Sequence, residues 1–337
     1  MIQIFENQSL LNKNTFAINS IAKYYISISA KEELLDIPNN IRTFVLGGGS
    51  NVVLPPYFDG LILDINIYGF DIVHKDSDFE IIKVGAGENW DNFVFKSISQ
   101  GLFGFENLAL IPGKVGAAPI QNIGAYGIEQ DKYFYKLEYF DLESNSFKEL
   151  YKTDCQFGYR NSVFKSTLKN KAVITNVYYR LPKNWEPVIN YKDINEFLSA
   201  NKDFELSPIN IYNLVSQIRK SKLPDPAYQP NAGSFFKNPI ISRSEYEKIT
   251  KVNPEISGFI SGDFVKLSAA KLIEIAGWKG KGIGINPKAK VSPDHSLVIT
   301  GSDGVNQEQI ILLSDAIIND IYKKFGILLE REVNIIQ

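Results

Sequence analysis

The chain has 337 residues, of which 44% are hydrophobic, and a formal net charge of −2, so it can bury two or three cores. Its dispersed charge gives no reason to expect a nucleic-acid or membrane partner. One cysteine, Cys155, excludes an intrachain disulfide, and the isolated His74 and His295 have no Cys or His at ligand spacing, which argues against a protein metal site.

In chain order, β-branched and aromatic runs between turn residues predict strands at 22–28, 43–46, 60–65, 79–84, 135–141 and 172–181. Helices are sparser in this half, with 31–36 and 91–100 as the candidates. Beyond Trp185 longer helical patterns take over. One covers 208–220, with Ser207 as N-cap and Pro208 at the first helical position. Another covers 268–276, with Ser268 as N-cap and Gly277 just past its end. The clearest covers 306–325, where Ile310, Leu313, Ile317, Ile321 and Phe325 share one face and Gly326 follows. If 327–336 is a strand, Glu330 and Glu332 point the same way, and two neighbouring carboxylates would raise one pKa. The N-terminus has no basic segment leading into an apolar core, and no apolar run reaches the roughly 18 residues of a membrane span, so a cytoplasmic protein is expected.

Chemistry is concentrated in loops. Leu46-Gly47-Gly48-Gly49-Ser50-Asn51-Val52-Val53-Leu54 sets three glycines between apolar segments, either as a tight structural turn or as a nest of backbone N–H groups for a phosphate. It is not the dinucleotide fingerprint, because a short strand ended by Pro55-Pro56 follows instead of a helix. A second small-residue loop runs Ile111-Pro112-Gly113-Lys114-Val115-Gly116-Ala117-Ala118-Pro119-Ile120-Gln121-Asn122-Ile123-Gly124-Ala125-Tyr126-Gly127, and so little side-chain volume implies a flat object packed on the backbone. Between them, Val84-Gly85-Ala86-Gly87-Glu88-Asn89-Trp90 ends a strand at a glycine turn.

In order and spacing these loops resemble the FAD-binding domain of the vanillyl-alcohol-oxidase (PCMH) type and, within it, the UDP-N-acetylenolpyruvoylglucosamine reductase family. Gly158-Tyr159-Arg160-Asn161-Ser162, Lys222-Leu223-Pro224-Asp225-Pro226, Asn231-Ala232-Gly233-Ser234-Phe235-Phe236-Lys237-Asn238-Pro239 and Leu329-Glu330-Arg331-Glu332-Val333 carry the resemblance beyond them. It implies an α+β protein: a PCMH-type FAD domain over 1–183, a substrate-loop insertion over 184–205, and a C-terminal α+β substrate-binding domain over 206–337. It also implies non-covalent FAD, since neither loop holds His or Cys, with NADPH as hydride donor. The substrate it implies is the enolpyruvyl ether of UDP-N-acetylglucosamine, and the protein is expected to be a monomer.

The same resemblance assigns residues. Arg160 would bind the substrate carboxylate and stabilise the enolate, Ser234 would donate the proton, and Glu332 would stabilise the anion. Ser234 is a weak acid that needs help, for which Lys237 and Lys222 are candidates. Gly47, Gly48, Gly49, Ser50 and Asn51 would cradle the diphosphate of FAD, while Gly113, Gly116, Ala117, Gln121, Asn122, Gly124 and Ala125 would line its ring and linker. Tyr159, Tyr191, Lys222, Asn238 and His295 would hold the nucleotide sugar, Tyr191 from the loop found in one branch of the family. The alternatives are another FAD oxidoreductase on the same fold, which has no need of Ser234 and Glu332, or a non-catalytic flavin or nucleotide binder.

Overall fold

A computed structural model describes residues 2–38 and 40–337. The chain divides into two compact units. The first takes the residues up to Gln8 with Ala22–Gly48 and Asp59–Ser221; the second takes Ser9–Ile21, Gly49–Phe58 and Lys222–Gln337.

In the first unit an antiparallel sheet runs in the order Ser146–Tyr151, Phe134–Asp141, Ala172–Pro182, Phe79–Gly85, Phe70–Lys75. Helix α1 (Trp90–Ser99) begins at Asn89, whose side chain accepts the Asn92 N–H, and buries Trp90, Phe93, Val94 and Ile98. Edge-to-face and stacked contacts join Trp90, Phe93, Phe105 and Tyr179 at centroid separations of 4.9 to 5.6 Å. A second sheet has the order Phe5–Ser9, Ile21–Ile28, Tyr57–Ile65, Thr43–Leu46, with the last pair parallel and Leu46 registered on Asp64. Helices α2 (Lys192–Ala200) and α3 (Pro208–Lys222) close a smaller core of Ala109, Ile194, Ile211, Leu214 and Val215. Ser207 Oγ accepts the Asn210 N–H at 3.3 Å, which makes it the cap of α3.

The second unit holds α4 (Arg243–Val252), α5 (Ala269–Ile275) and α6 (Gln307–Phe325) with two three-stranded sheets. In α6, Asn306 and Gln309 form a capping box, Gly326 takes the left-handed conformation that ends the helix, and Ile310, Leu313, Ile317, Ile321 and Phe325 are buried. The core beneath gathers Phe16, Ile18 and Val53 with Phe235, Phe236, Val291 and Ile299. Val52–Val53 pairs in parallel with Asn334–Ile335.

The α+β class is as expected, with two local corrections. Residues Lys31–Asp36 form a 3-10 helix, because extended Ala30 and Ile37 bound a segment too short for a stable α-helix. In the segment after α6 only Asn334–Ile335 is strand, and Arg331 makes an isolated bridge to Phe236. Cys155 has polar neighbours in sequence but is fully buried, and burial pushes its thiol up to about 12.

Candidate active site

The first unit assembles the small-residue loops by backbone contact. A Cβ on Gly48 would lie 2.8 Å from Gly113 Cα, one on Gly47 would lie 3.4 Å from Ala117 Cβ, and one on Gly116 would lie 2.6 Å from Ala86 Cβ. Glycine at Gly48 and Gly116 is therefore what lets the loops meet, whereas a Cβ on Gly47 would make ordinary contact. The Gly47 and Gly48 N–H groups donate to no other group of the chain among the described residues. An unused pair of adjacent amides is what an anion nest requires. Lys114, next to Gly113, turns inward, its ammonium donating to Asp64 Oδ1 at 2.6 Å, Ile65 O at 2.8 Å and Asn66 Oδ1 at 2.9 Å.

Arg160 sits on a tight turn between Gly158 and Asn161, which bridge each other, and has a φ of 52°. Such a backbone is uncommon outside glycine and strained. Its Nη2 donates to Gly124 O at 2.6 Å, its Nη1 lies 3.8 Å from Glu129 Oε1, and its guanidinium lies 5.3 Å from the Tyr159 ring centroid. A Cβ on Gly124 would come within 3.2 Å of that Nη1. Asn122, with a φ of 47°, spends its side chain internally: Nδ2 donates to Glu129 Oε2 at 3.0 Å, and Oδ1 accepts from Gln130 Nε2 and Asp131 N at 3.2 Å. Its backbone N–H donates to Pro119 O at 3.4 Å.

Tyr191 caps the start of α2, is 43% exposed, and lays its ring edge-on against Tyr126 at 5.0 Å. Burial pushes the Tyr126 hydroxyl up to about 12. The buried Asn107 joins the two segments, donating to Tyr126 O and to Val188 O, both at 2.8 Å. Arg219 of α3 lies in the field of Tyr126 and Asp91; burial lowers its pKa, and its Nε has no hydrogen-bond partner among the described residues. Asn107, Lys114 and Arg219 lie outside the residues assigned from sequence. Neither Asn107 nor Arg219 stands in a motif singled out from sequence, whereas Lys114 stands inside a loop already singled out.

In the second unit Gly49 has a φ of 64°, and a Cβ there would run into Lys13 O. Ser234 ends the strand Asn231–Ser234 and registers on Val298. The next residue, Phe235, receives the Glu332 N–H at 2.8 Å and donates to Leu297 O at 2.8 Å. Glu332 thus lies across from Phe235, beside Ser234 on the neighbouring segment, and its carbonyl accepts from Asn51 Nδ2 at 3.4 Å. Lys237, a candidate helper of Ser234, is instead paired with Glu330 at 2.8 Å. Glu330 is exposed, so it is not the bare neighbouring carboxylate that the alternation implied. Asn231 orders the preceding turn, accepting the Gly233 N–H at 2.8 Å and donating to Pro224 O and Gln229 O. Asn238 Oδ1 accepts the Ala269 N–H at 3.0 Å at the start of α5. His295 accepts the Leu297 N–H at Nδ1, which puts its proton on Nε2; burial first, then Lys222 and Lys279, hold its pKa below the usual range. Arg160 belongs to the first unit, Ser234 and Glu332 to the second. Among the described residues no cluster of His, Cys, Asp or Glu could hold a metal, and no helix is long and apolar enough to cross a membrane.

Residues 35–141 match a family model described as an FAD binding domain, and residues 225–336 match one described as the C-terminal domain of UDP-N-acetylenolpyruvoylglucosamine reductase. The chain is 40% identical over 340 residues to the UDP-N-acetylenolpyruvoylglucosamine reductase of Flavobacterium johnsoniae, covering 99% of this chain and 100% of that one. It is 38% identical over 340 residues to the enzyme of that name from Vibrio vulnificus, covering 99% and 96%. Its fold is that of the crystal structure of the UDP-N-acetylenolpyruvylglucosamine reductase from Thermus caldophilus, with a TM-score of 0.69 at 21% identity and coverage of 100% and 99%. On these near full-length matches, over loops and turns whose geometry suits a flavin nucleotide, the chain belongs to the UDP-N-acetylenolpyruvoylglucosamine reductase family.

Proposed function

We propose that the chain reduces the enolpyruvyl ether of UDP-N-acetylglucosamine to UDP-N-acetylmuramate, an FAD-dependent, NADPH-consuming step in making peptidoglycan precursors. The observation that carries this reading is 40% identity across the whole length of a relative bearing that enzyme name. FAD fits the residues present, because the Gly47 and Gly48 amides are unused and the loops around them meet through glycine and alanine alone. No His or Cys stands in either loop, so the cofactor is held non-covalently.

When bound, FAD supplies two-electron transfer from NADPH to the terminal vinyl carbon of the substrate. Everything else falls to the chain. The amides of Gly47, Gly48 and Gly49, with Ser50 and Asn51, take the diphosphate; Gly113, Gly116, Ala117, Gln121, Asn122, Gly124 and Ala125 line the ring and linker. Arg160, permanently charged and braced on Gly124 O, binds the substrate carboxylate and stabilises the enolate that develops there. Glu332, in its protonated form, donates a hydrogen bond to the same enolate, and Ser234 delivers a proton to the carbon beside the carboxylate. Tyr159, Tyr191, Lys222, Asn238 and His295 hold the nucleotide sugar. The reading makes the enzyme a monomer, and its nucleotide substrates put it in the cytoplasm.

Anaerobic stopped-flow on Ser234→Ala tests the assignment. Reduction of the bound flavin by NADPH is expected to survive, while reoxidation by the enolpyruvyl sugar nucleotide falls by about 10² or more. Reoxidation near the wild-type rate removes Ser234 as the proton donor. A wild-type protein that NADPH bleaches but the enolpyruvyl substrate does not recolour is a different flavoenzyme of this fold, and one that binds no FAD is neither.

A further inference from the structure

Lys114 occupies a position where a lysine would ordinarily be read as a phosphate contact, directly after Pro112-Gly113 in a small-residue loop. Its ammonium instead meets Asp64 Oδ1, Ile65 O and Asn66 Oδ1 at 2.6 to 2.9 Å, with the Asp64 side chain 3% exposed. The Tyr25 hydroxyl donates to the other Asp64 oxygen at 2.6 Å. Three acceptors satisfy the three ammonium protons, so this cation has no donor left for a ligand.

What the pair joins gives it a purpose. Asp64 is registered on Leu46, the residue before Gly47 and Gly48. Lys114 follows Gly113, the residue on which Gly48 packs. Lys114 also bridges Asn89, flanked by Trp90 N–H to Gly113 O at 3.0 Å and Val115 N–H to Glu88 O at 2.8 Å. One ion pair therefore ties both glycine loops, and the Gly85 to Trp90 turn, to a single strand end. We infer that Asp64 and Lys114 are positioning residues for FAD: the pair sets the approach of Gly113 to Gly48 and so the aim of the Gly47 and Gly48 amides. This inference rests on reading those amides as the diphosphate cradle. With Asp64 buried and Lys114 part-buried, removing either partner leaves the other charge uncompensated.

The test titrates FAD into apoprotein by flavin fluorescence quenching, with far-UV circular dichroism to establish folding and the visible circular dichroism of bound flavin to report its setting. Asp64→Asn and Lys114→Met are each expected to raise the FAD Kd at least tenfold and to alter the flavin band, with the double variant no weaker than the weaker single. Tyr25→Phe and Lys114→Arg, milder changes, are expected to raise Kd two- to tenfold and carry the test if the first two do not fold. Lys23→Met, which breaks the exposed pair with Asp59, should stay within twofold of wild type. Gly48→Ala addresses the cradle itself. If it raises Kd sharply while every folded variant of Asp64, Lys114 and Tyr25 stays within twofold, the tether is wrong and the cradle stands. If Gly48→Ala leaves Kd unchanged, the cradle is wrong and the tether falls with it.

Discussion

At the scale of single residues, part of the backbone strain falls in the loops singled out from sequence. Of the ten non-glycine residues with positive φ among the described residues, Leu110, Asn122, Tyr126 and Arg160 lie in or beside the small-residue loop or the Arg160 turn. Gly124 is coupled to Arg160 twice, through its carbonyl and through the space its missing Cβ leaves. Gly124→Ala, whose methyl would meet Glu129 Cγ at 2.7 Å as well as Arg160, should lower kcat about tenfold or more while the protein stays yellow, as measured by steady-state turnover per bound flavin. His295 allows a prediction in pH. Its pKa is held below the ordinary value by burial and nearby lysines. The unfolded chain therefore binds the extra proton first. Its neutral form contributes stability that is full above about pH 6.5, the unfolded value, and is lost as pH falls toward the lower folded value. His295→Gln should flatten the acid side of the stability curve, read as urea midpoints at pH 7.5 and 5.5; an unchanged slope would remove His295 from that account.

At the scale of elements, periodicity was legible where burial is one-sided and continuous. The strand Thr43–Leu46 and the helix Gln307–Phe325 fall within a residue of their predicted ends because apolar spacing and caps agree. The strand Phe70–Lys75 stayed hidden because it lies at a sheet edge with almost every side chain exposed, leaving no alternation to read. Helix α4 buries no residue, and its one readable signal was the box formed by Ser242 and Glu245. In α2 the spacing of Ile194, Phe197 and Leu198 was readable but sat in a stretch taken as loop. The site divides the same way. Glycine and polar runs marked the loops, while Asn107 and Asp64 act through contacts 81 and 50 residues away that local pattern does not encode. The Asn107 link gives a test at this scale. Asn107→Ala frees Tyr126 O and Val188 O at once, so the segment bearing Tyr191 should loosen. Substrate KM is expected to rise several-fold, as for Tyr191→Ala, with flavin reduction by NADPH less affected; equal damage to both half-reactions would count against a role in holding the sugar nucleotide.

For the whole molecule, the second unit is discontinuous in sequence. Residues 9–21 and 49–58 supply Phe16, Ile18 and Val53 to a core otherwise built after residue 222, and Val52–Val53 pairs with Asn334–Ile335. A fragment 222–337 should therefore lack fixed tertiary structure, with dispersed amide signals absent from its NMR spectrum. A well-dispersed spectrum would show that those early segments are dispensable. The same discontinuity sets a schedule during synthesis on the ribosome. The first unit has all its stretches once residue 221 emerges, but Phe16, Ile18 and Val53 wait for strands and helix made some 180 to 320 residues later. At about 5 to 20 residues per second that delay is on the order of 10 to 60 s. Through it these side chains lack most of their core and are expected to stay bare apolar surface on the nascent chain.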